Sequence, residues 1–279
     1  MSYTATHSLI DGQRFLQPIE DAMQSLLGLA VAATGIMLAG AAPALSQERV
    51  GEAVLVKTSV TGGSGPVAVK SPVHRDERIR TSNTGLGEFL FRDGTKFAVG
   101  WNSSVVIDEF VFKDSNTVQK LSLNAARGTF RWISGKSKSS AYEITTPAGT
   151  LGIRGTGLDI YVGSGGITAI VLLSGSATFC GSNGCQDLTR RCDVVVATPS
   201  GGVAPADRVN RDIFNVLGTP RSLPFLTGAQ PLSRRFRMVP NGCGLSTANA
   251  SGLKERGGGD RPEPRGQPDP EPGPDNNID

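Results

Sequence analysis

The side chains that most often carry out catalysis are scarce in this chain. It has two histidines, His7, which precedes a long apolar segment, and His74. A nucleophilic triad or a histidine acid–base pair needs an imidazole beside its partner. Ser174 and Ser176 lie in a segment that lacks the second glycine of a nucleophile elbow. The sequence therefore predicts no catalytic site, and we expect His74 to be an ordinary surface residue.

The carboxylates do not form a pair that could share a cleft. Asp93 is expected at a turn, where its side chain caps its own backbone. Asp108 and Glu109 are adjacent, so in a strand their side chains point to opposite faces. Asp159 lies between two apolar residues and is expected on the outer face of its strand. Catalysis by two convergent carboxylates is therefore not predicted.

Binding is the chemistry that a few residues do suggest. The glycine-rich segment Pro147–Gly157 lacks the Gly-Lys-Ser/Thr of a phosphate loop, so its glycines indicate tight corners between short strands. Arg154 within it either ties two corners together through carbonyl groups or recognises an anion. The candidate binding residues are Arg154, Asp93 and Trp132. For Trp132 and Trp101, packing in the core or at its rim is favoured over a carbohydrate platform.

Four cysteines indicate disulfide bonds, since an even number is typical of exported proteins. They are Cys180, Cys185, Cys192 and Cys243. Cys180 and Cys185 flank a hairpin-tip sequence, which favours pairing them and leaves Cys192 for Cys243. Their spacing is not that of two zinc knuckles and no histidine is near, so no metal site is predicted. The sequence suggests no cofactor either.

The elements that must position these residues are short strands. Across Val50–Ala197, apolar and polar residues alternate in short runs separated by Gly, Asn, Asp or Ser. Phe130 and Trp132, for example, alternate with Arg131, and Arg92–Thr95 is an Asp-Gly turn of the kind that joins a hairpin. No stretch in this region repeats with a period near 3.6. The sequence predicts an all-β domain, as a β-solenoid or β-helix-like stack or, alternatively, a β-sandwich.

An uncharged apolar segment, Leu26–Ala42, precedes this domain. Ala44 and Ser46 follow as the small residues that a signal peptidase reads. We therefore expect residues 1–46 to be a signal peptide or N-terminal leader, and the protein to be periplasmic or extracellular. The rival interpretations are an uncleaved membrane anchor, for which the segment is short, and a buried helix.

The remainder of the chain is predicted to divide into three parts. Residues 47–198 form the β domain, and residues 199–253 form a C-terminal extension with one amphipathic helix over 205–217. Residues 254–279 are rich in proline, glycine and charge, and we expect them to be a disordered tail.

Several stretches together resemble the FecR domain family. Thr145–Tyr161 (TTPAGTLGIRGTGLDIY) is the most specific of them, and Arg75 stands where that family usually has glycine. The other similar stretches are Arg75–Thr81, Glu88–Thr95 and Leu172–Phe179. They occur in the expected order and the resemblance covers roughly Val50–Ala197.

This resemblance implies an exported fold that binds a ligand or partner. The regulators for which the family is named also carry a cytoplasmic domain that binds a sigma factor, and the stretch before the apolar segment is too short for one. We therefore expect a stand-alone, non-catalytic sensing module that contacts a receptor, regulator or envelope ligand. A structural or adhesive envelope protein is the alternative. The net charge of +3 is too small to indicate a nucleic-acid partner.

Overall fold

The computed structural model describes residues 48–238 and 242–246 of the 279-residue chain, all within the compact unit Gln47–Asp279. These residues form a single mixed β-sheet and only two short helices, which confirms the all-β prediction. The predicted leader over 1–46 and the predicted disordered tail over 254–279 lie outside the described residues. Within the described part of the chain, no helix is long and apolar enough to cross a membrane.

The sheet contains sixteen strands. In chain order they are β1 (Arg49–Lys57), β2 (Val60–Gly62), β3 (Gly65–Pro66), β4 (Pro72–His74), β5 (Arg78–Thr81), β6 (Leu86–Phe91), β7 (Lys96–Val99), β8 (Ser104–Phe112), β9 (Val118–Ile133), β10 (Tyr142–Thr146), β11 (Gly149–Val162), β12 (Thr168–Gly181), β13 (Gly184–Leu188), β14 (Asp193–Thr198), β15 (Gly202–Val203) and β16 (Asp207–Arg208). The helices are α1 (Ile213–Val216) and α2 (Pro224–Thr227).

The long strand β9 organises the sheet, because its two halves have different neighbours. Its first half pairs with β8 and, in parallel, with β10, whereas its second half pairs with β7 and β11. Every other pairing among the described strands is antiparallel. The predicted hairpin is present, with β6 and β7 joined through the Asp-Gly turn at 92–95.

One face of the sheet buries the main hydrophobic core, as the two-residue alternation requires. Phe130 and Trp132 of β9 point into it together, and both are fully buried. Neighbouring strands add Phe97, Leu158 and Ile160 to the same cluster, and the rings of Phe97 and Phe130 stack with centroids 5.8 Å apart. The alternating residues of successive strands thus merge into one continuous core.

The other face is covered by the chain that follows β16. We call residues 209–238 and 242–245 the C-terminal cover, since its leucines and phenylalanines pack on the backs of several central strands. The Cys192–Cys243 disulfide fastens it to the start of β14, and Cys180–Cys185 closes the β12–β13 hairpin, so the structure has the two pairings predicted from the sequence. This segment is therefore a second layer of the fold.

Two local predictions about the backbone are wrong. The helix expected over 205–217 is confined to Ile213–Val216, because Asp207 and Arg208 instead pair with β14. The glycines of 147–157 do not form corners between short strands but lie largely within the single strand β11. Their role is a bulge after Arg154, where Gly155 adopts a φ of 60° and the register to β12 shifts.

Asp159 lies on the face of β11 opposite the main core, as the alternation predicted, but this face is covered and the side chain is buried. It is 2% exposed and binds Arg131, which is 3% exposed, through two contacts of 2.6 Å. The guanidinium also donates to the Phe236 carbonyl oxygen and lies 5.6 Å from the Phe225 ring. Burial raises the pKa of Asp159, and the adjacent Arg131 cation opposes that rise. The C-terminal cover, which the strand alternation cannot reveal, accounts for this burial.

Candidate binding surface

Two adjoining depressions form a continuous groove across the first half of β9 and its neighbours. Their volumes are about 640 and 560 Å³, and both are lined by Gln119, Ser140 and Ala141. We call this surface the basic groove. Its further lining residues are Lys113, Asp114, Thr117, Val118, Lys120, Lys136, Lys138, Ser139, Tyr142, Glu143, Gly152, Ile153, Arg154 and Thr178.

Positive charge dominates the basic groove. Its cations are Lys113, Lys120, Lys136, Lys138 and Arg154, against the carboxylates of Asp114 and Glu143. Lys120 forms an ion pair with Glu109, which raises the pKa of its ammonium group. Lys136, Lys138 and Arg154 are exposed, and none has a carboxylate partner among the described residues. An anionic group entering the groove would therefore meet unpaired cations.

The depth of the groove arises from one position on the sheet surface. Glu143, Gly152 and Thr178 lie side by side on β10, β11 and β12, with their side-chain positions on the outer face. Because Gly152, at the centre of this row, has no side chain, the protein surface is lower at that point. Arg154 stands two residues further along the same face of β11. The guanidinium group is thus at the wall of a depression and free of the core.

Asp93 holds the loop that carries two of the cations. Its carboxylate is 1% exposed and accepts hydrogen bonds from the Tyr142 hydroxyl at 2.7 Å and the Ser137 hydroxyl at 3.1 Å. The Thr95 amide and hydroxyl also donate to it, both at 2.9 Å, which is the predicted turn capping. The Lys136 amide donates to the Asp93 carbonyl oxygen at 2.9 Å. Through its carboxylate and its carbonyl oxygen, Asp93 thereby holds Lys136 and Ser137 against the turn between β6 and β7.

Trp132 supports the same loop from inside the core. Its indole Nε1 donates to the Ser134 hydroxyl at 3.1 Å, and its ring lies 5.4 Å from that of Tyr142, edge on. The side chain is fully buried, so its surroundings are those of a core residue. Burial, together with the bond to Asp93, raises the pKa of Tyr142. The hydroxyl therefore stays protonated at neutral pH and can donate to Asp93.

The three candidate binding residues all lie at or near the basic groove, but at different depths. Arg154 is at the surface, whereas Asp93 and Trp132 lie beneath the groove and position its wall. Sequence reasoning missed Lys136 and Lys138. The available signal was the basic, serine-rich segment between two strand patterns, GKSKSS, which alternation arguments treat only as a connection.

Comparison with known proteins finds one family model that matches the part of the chain carrying this groove. The family model described as FecR protein matches residues 77–178. That stretch is thus similar to the FecR family, as the sequence resemblance indicated, and it contains every residue that lines the basic groove. The C-terminal cover lies beyond the match.

Two solved structures also resemble the chain, each of a candidate anti-sigma factor from Parabacteroides distasonis. One has 10% sequence identity and a TM-score of 0.37 over 48% of this chain and 61% of its own. The other has 10% identity and a TM-score of 0.41 over 54% and 64%, respectively. The chain thus spans less than two thirds of either protein. No curated protein matches it.

Proposed function

We propose that this protein is an exported, non-catalytic sensing module whose basic groove binds an acidic segment of a protein partner in the cell envelope. The FecR match supports a sensing or regulatory module. The observation that carries the finer proposal is the set of unpaired cations, Lys136, Lys138 and Arg154, around a groove that lies within the matched residues. That the module acts without a cytoplasmic sigma-factor-binding domain stays a prediction.

Preorganisation of the groove favours this role. The Asp93 hydrogen bonds hold the Lys136–Lys138 loop before any partner arrives, so binding does not have to order that backbone. Complementary charge accelerates encounter and excludes partners of the wrong sign. An extended segment with carboxylates on alternate residues matches cations spread along two adjoining depressions better than a compact ligand does.

The disulfides support the exported location. Such bonds persist in oxidising compartments and are rare in the bacterial cytosol. Cys192–Cys243 also joins the C-terminal cover to the sheet, so we infer that the protein functions with this bond formed.

The proposal is tested with the purified, oxidised full chain and a fluorescein-labelled decapeptide of alternating Glu and Ser. Fluorescence anisotropy should show binding that weakens as sodium chloride is raised, because screening shortens the range of the attraction. Lys136→Gln/Lys138→Gln should reduce the affinity about twofold to thirtyfold, since each exposed ion pair lost is worth about 0.2–1 kcal/mol.

Lys57→Gln/Lys70→Gln is the matched control, because it removes two exposed charges outside the groove. This variant should bind like the wild type, and a peptide of alternating Lys and Ser should not bind. Equal losses in both double variants would mean that net charge alone attracts the peptide, which would refute the groove as its site.

A further inference from the structure

A second pocket lies elsewhere on the molecule and shares no lining residue with the basic groove. Its volume is about 550 Å³. We call it the aromatic–arginine pocket, and it is lined by Trp101, Asn102, Arg127, Gly128, Thr129, Tyr161, Val162, Gly163, Ser164, Thr219 and Arg221. Strands β9 and β11 and the connections next to strands supply nine of these residues, whereas Thr219 and Arg221 come from the C-terminal cover.

Arg221 is held in place as a cation in this pocket. Its guanidinium lies 4.3 Å from the centre of the Trp101 ring, and one of its nitrogens donates to the Asn83 carbonyl oxygen at 2.9 Å. In return, the Trp101 indole nitrogen donates to the Arg221 carbonyl oxygen at 3.2 Å. The remaining guanidinium donors have no described protein acceptor. An arginine oriented by two contacts and with further donors available is suited to an oxyanion.

Arg127 supplies a second cation, and nothing within the pocket neutralises either one. Its side chain is exposed and has no ion pair among the described residues. None of the lining residues is acidic. Two like charges that line one pocket without a carboxylate repel each other, so an anionic ligand would relieve this repulsion.

The backbone around Arg127 is shaped to keep the pocket open. Gly128 adopts a φ of 112°, and a Cβ atom there would collide with Ser103. The register between β8 and β9 shifts at this point, and the Thr129 amide donates to the Ser103 hydroxyl at 3.0 Å. The Gln230 side chain accepts a hydrogen bond from the Trp101 amide at 3.2 Å. Hydrogen bonds thus hold the backbone of the pocket lining both at Trp101 and at Thr129.

The other lining groups add apolar surface and uncharged hydrogen-bonding partners. Trp101 and Tyr161 are each partly exposed. Burial raises the pKa of Tyr161, so its hydroxyl is neutral at physiological pH. Asn102, Ser164 and Thr219 contribute an amide and two hydroxyls. This combination suits a ligand with a ring-shaped body, several hydroxyls and a negative charge.

We propose that the aromatic–arginine pocket binds a carboxylated sugar, such as a uronic-acid residue of an acidic glycan. The carboxylate would be held by Arg127 and Arg221, the sugar ring would lie against the exposed part of the aromatic side chains, and its hydroxyls would bond to the polar lining. This site is independent of the basic groove. It depends on the C-terminal cover, which lies outside the FecR match.

The test is a titration of the oxidised full chain with tri-galacturonic acid. Binding is measured by isothermal titration calorimetry and by the NMR signals of the indole N–H groups. We expect saturable binding that shifts the Trp101 signal. Maltotriose, which has the rings without the charge, and inorganic phosphate, which has the charge without the rings, should each bind at least tenfold more weakly.

Variants at exposed arginines locate the binding. Arg127→Gln should weaken it at least tenfold, whereas Arg211→Gln, an exposed arginine outside the pocket, should leave it unchanged. Arg127 makes no described side-chain bond, so its replacement should not disturb folding. The proposal is overturned if tri-galacturonic acid does not bind, if maltotriose or phosphate binds as well, or if both variants behave alike. None of these results bears on the acidic peptide and the basic groove.

Discussion

The buried Arg131–Asp159 pair provides the most quantitative prediction about the fold. Both side chains are at most 3% exposed, and two contacts of 2.6 Å join them between the sheet and the C-terminal cover. Arg131→Met removes the cation and leaves a buried carboxylate without a partner. Breaking a buried pair from one side in this way costs about 3–5 kcal/mol. Asp159→Leu, which leaves the guanidinium unpaired, should cost a similar amount.

The double replacement should behave quite differently from either single one. Arg131→Met/Asp159→Leu removes both charges and leaves apolar groups beside Phe225 and Phe236. Because the cost of burying two ions disappears with them, its stability should lie within about 1 kcal/mol of the wild type. The two single costs are therefore expected to be strongly non-additive.

The assay is equilibrium unfolding in guanidinium chloride with both disulfides oxidised, comparing the free energies of unfolding. Glu52→Gln is the control, since Arg49–Glu52 is a solvent-exposed ion pair and should be worth less than about 1 kcal/mol. If Arg131→Met costs no more than Glu52→Gln, the pair must be hydrated. The C-terminal cover would then not seal that face of the sheet.

Three further predictions concern the loop support, the disulfides and the second pocket. Tyr142→Phe should lower the free energy of unfolding by about 1–2 kcal/mol in chemical denaturation, because Asp93 loses a buried donor. The raised pKa of Tyr142 means that the folded state holds this proton more tightly, so stability should fall as pH rises above about 10, and fall less in the variant. Cys192→Ser/Cys243→Ser should lower the free energy of unfolding by about 4 kcal/mol, because this disulfide closes a loop with a sequence separation of 51. Cys180→Ser/Cys185→Ser should lower it by only about 2 kcal/mol, because its sequence separation is 5. Equal losses would contradict the loop-closure explanation. Gly128→Ala should destabilise the protein by at least about 1 kcal/mol, measured by thermal unfolding, whereas Gly152→Ala, where a methyl group has room, should be nearly neutral.

Alternation along the chain was enough to predict the strands and one face of the sheet. Phe130 and Trp132 point into the core as their spacing requires, and the Asp-Gly turn forms the expected hairpin. The same alternation placed Asp159 on the face away from the main core but did not show that another segment covers this face, so its burial was not predicted. That cover comes from residues 209–238 and 242–245, whose short helices and turns have too little periodicity to show which surface they pack against.

The candidate sites were predictable only in part, for a related reason. Arg154 stood out because it interrupts a glycine-rich strand, and Asp93 because it precedes glycine in a turn. Their relation to each other depends on Tyr142, which meets Asp93 across 49 residues of sequence. Long-range contacts of this kind follow from strand order, and a single sequence does not define which strands become neighbours.

The central claim is that a protein partner occupies the basic groove in the cell envelope. The most direct measurement is in-cell photocrosslinking with a photoreactive amino acid in place of Ser139, an exposed groove residue, and in place of Ser200, an exposed residue outside it. We predict one discrete protein adduct from position 139 and none from position 200. Lys136→Gln/Lys138→Gln should abolish that adduct. No adduct from position 139, or the same adduct from both positions or in the double variant, would contradict the account.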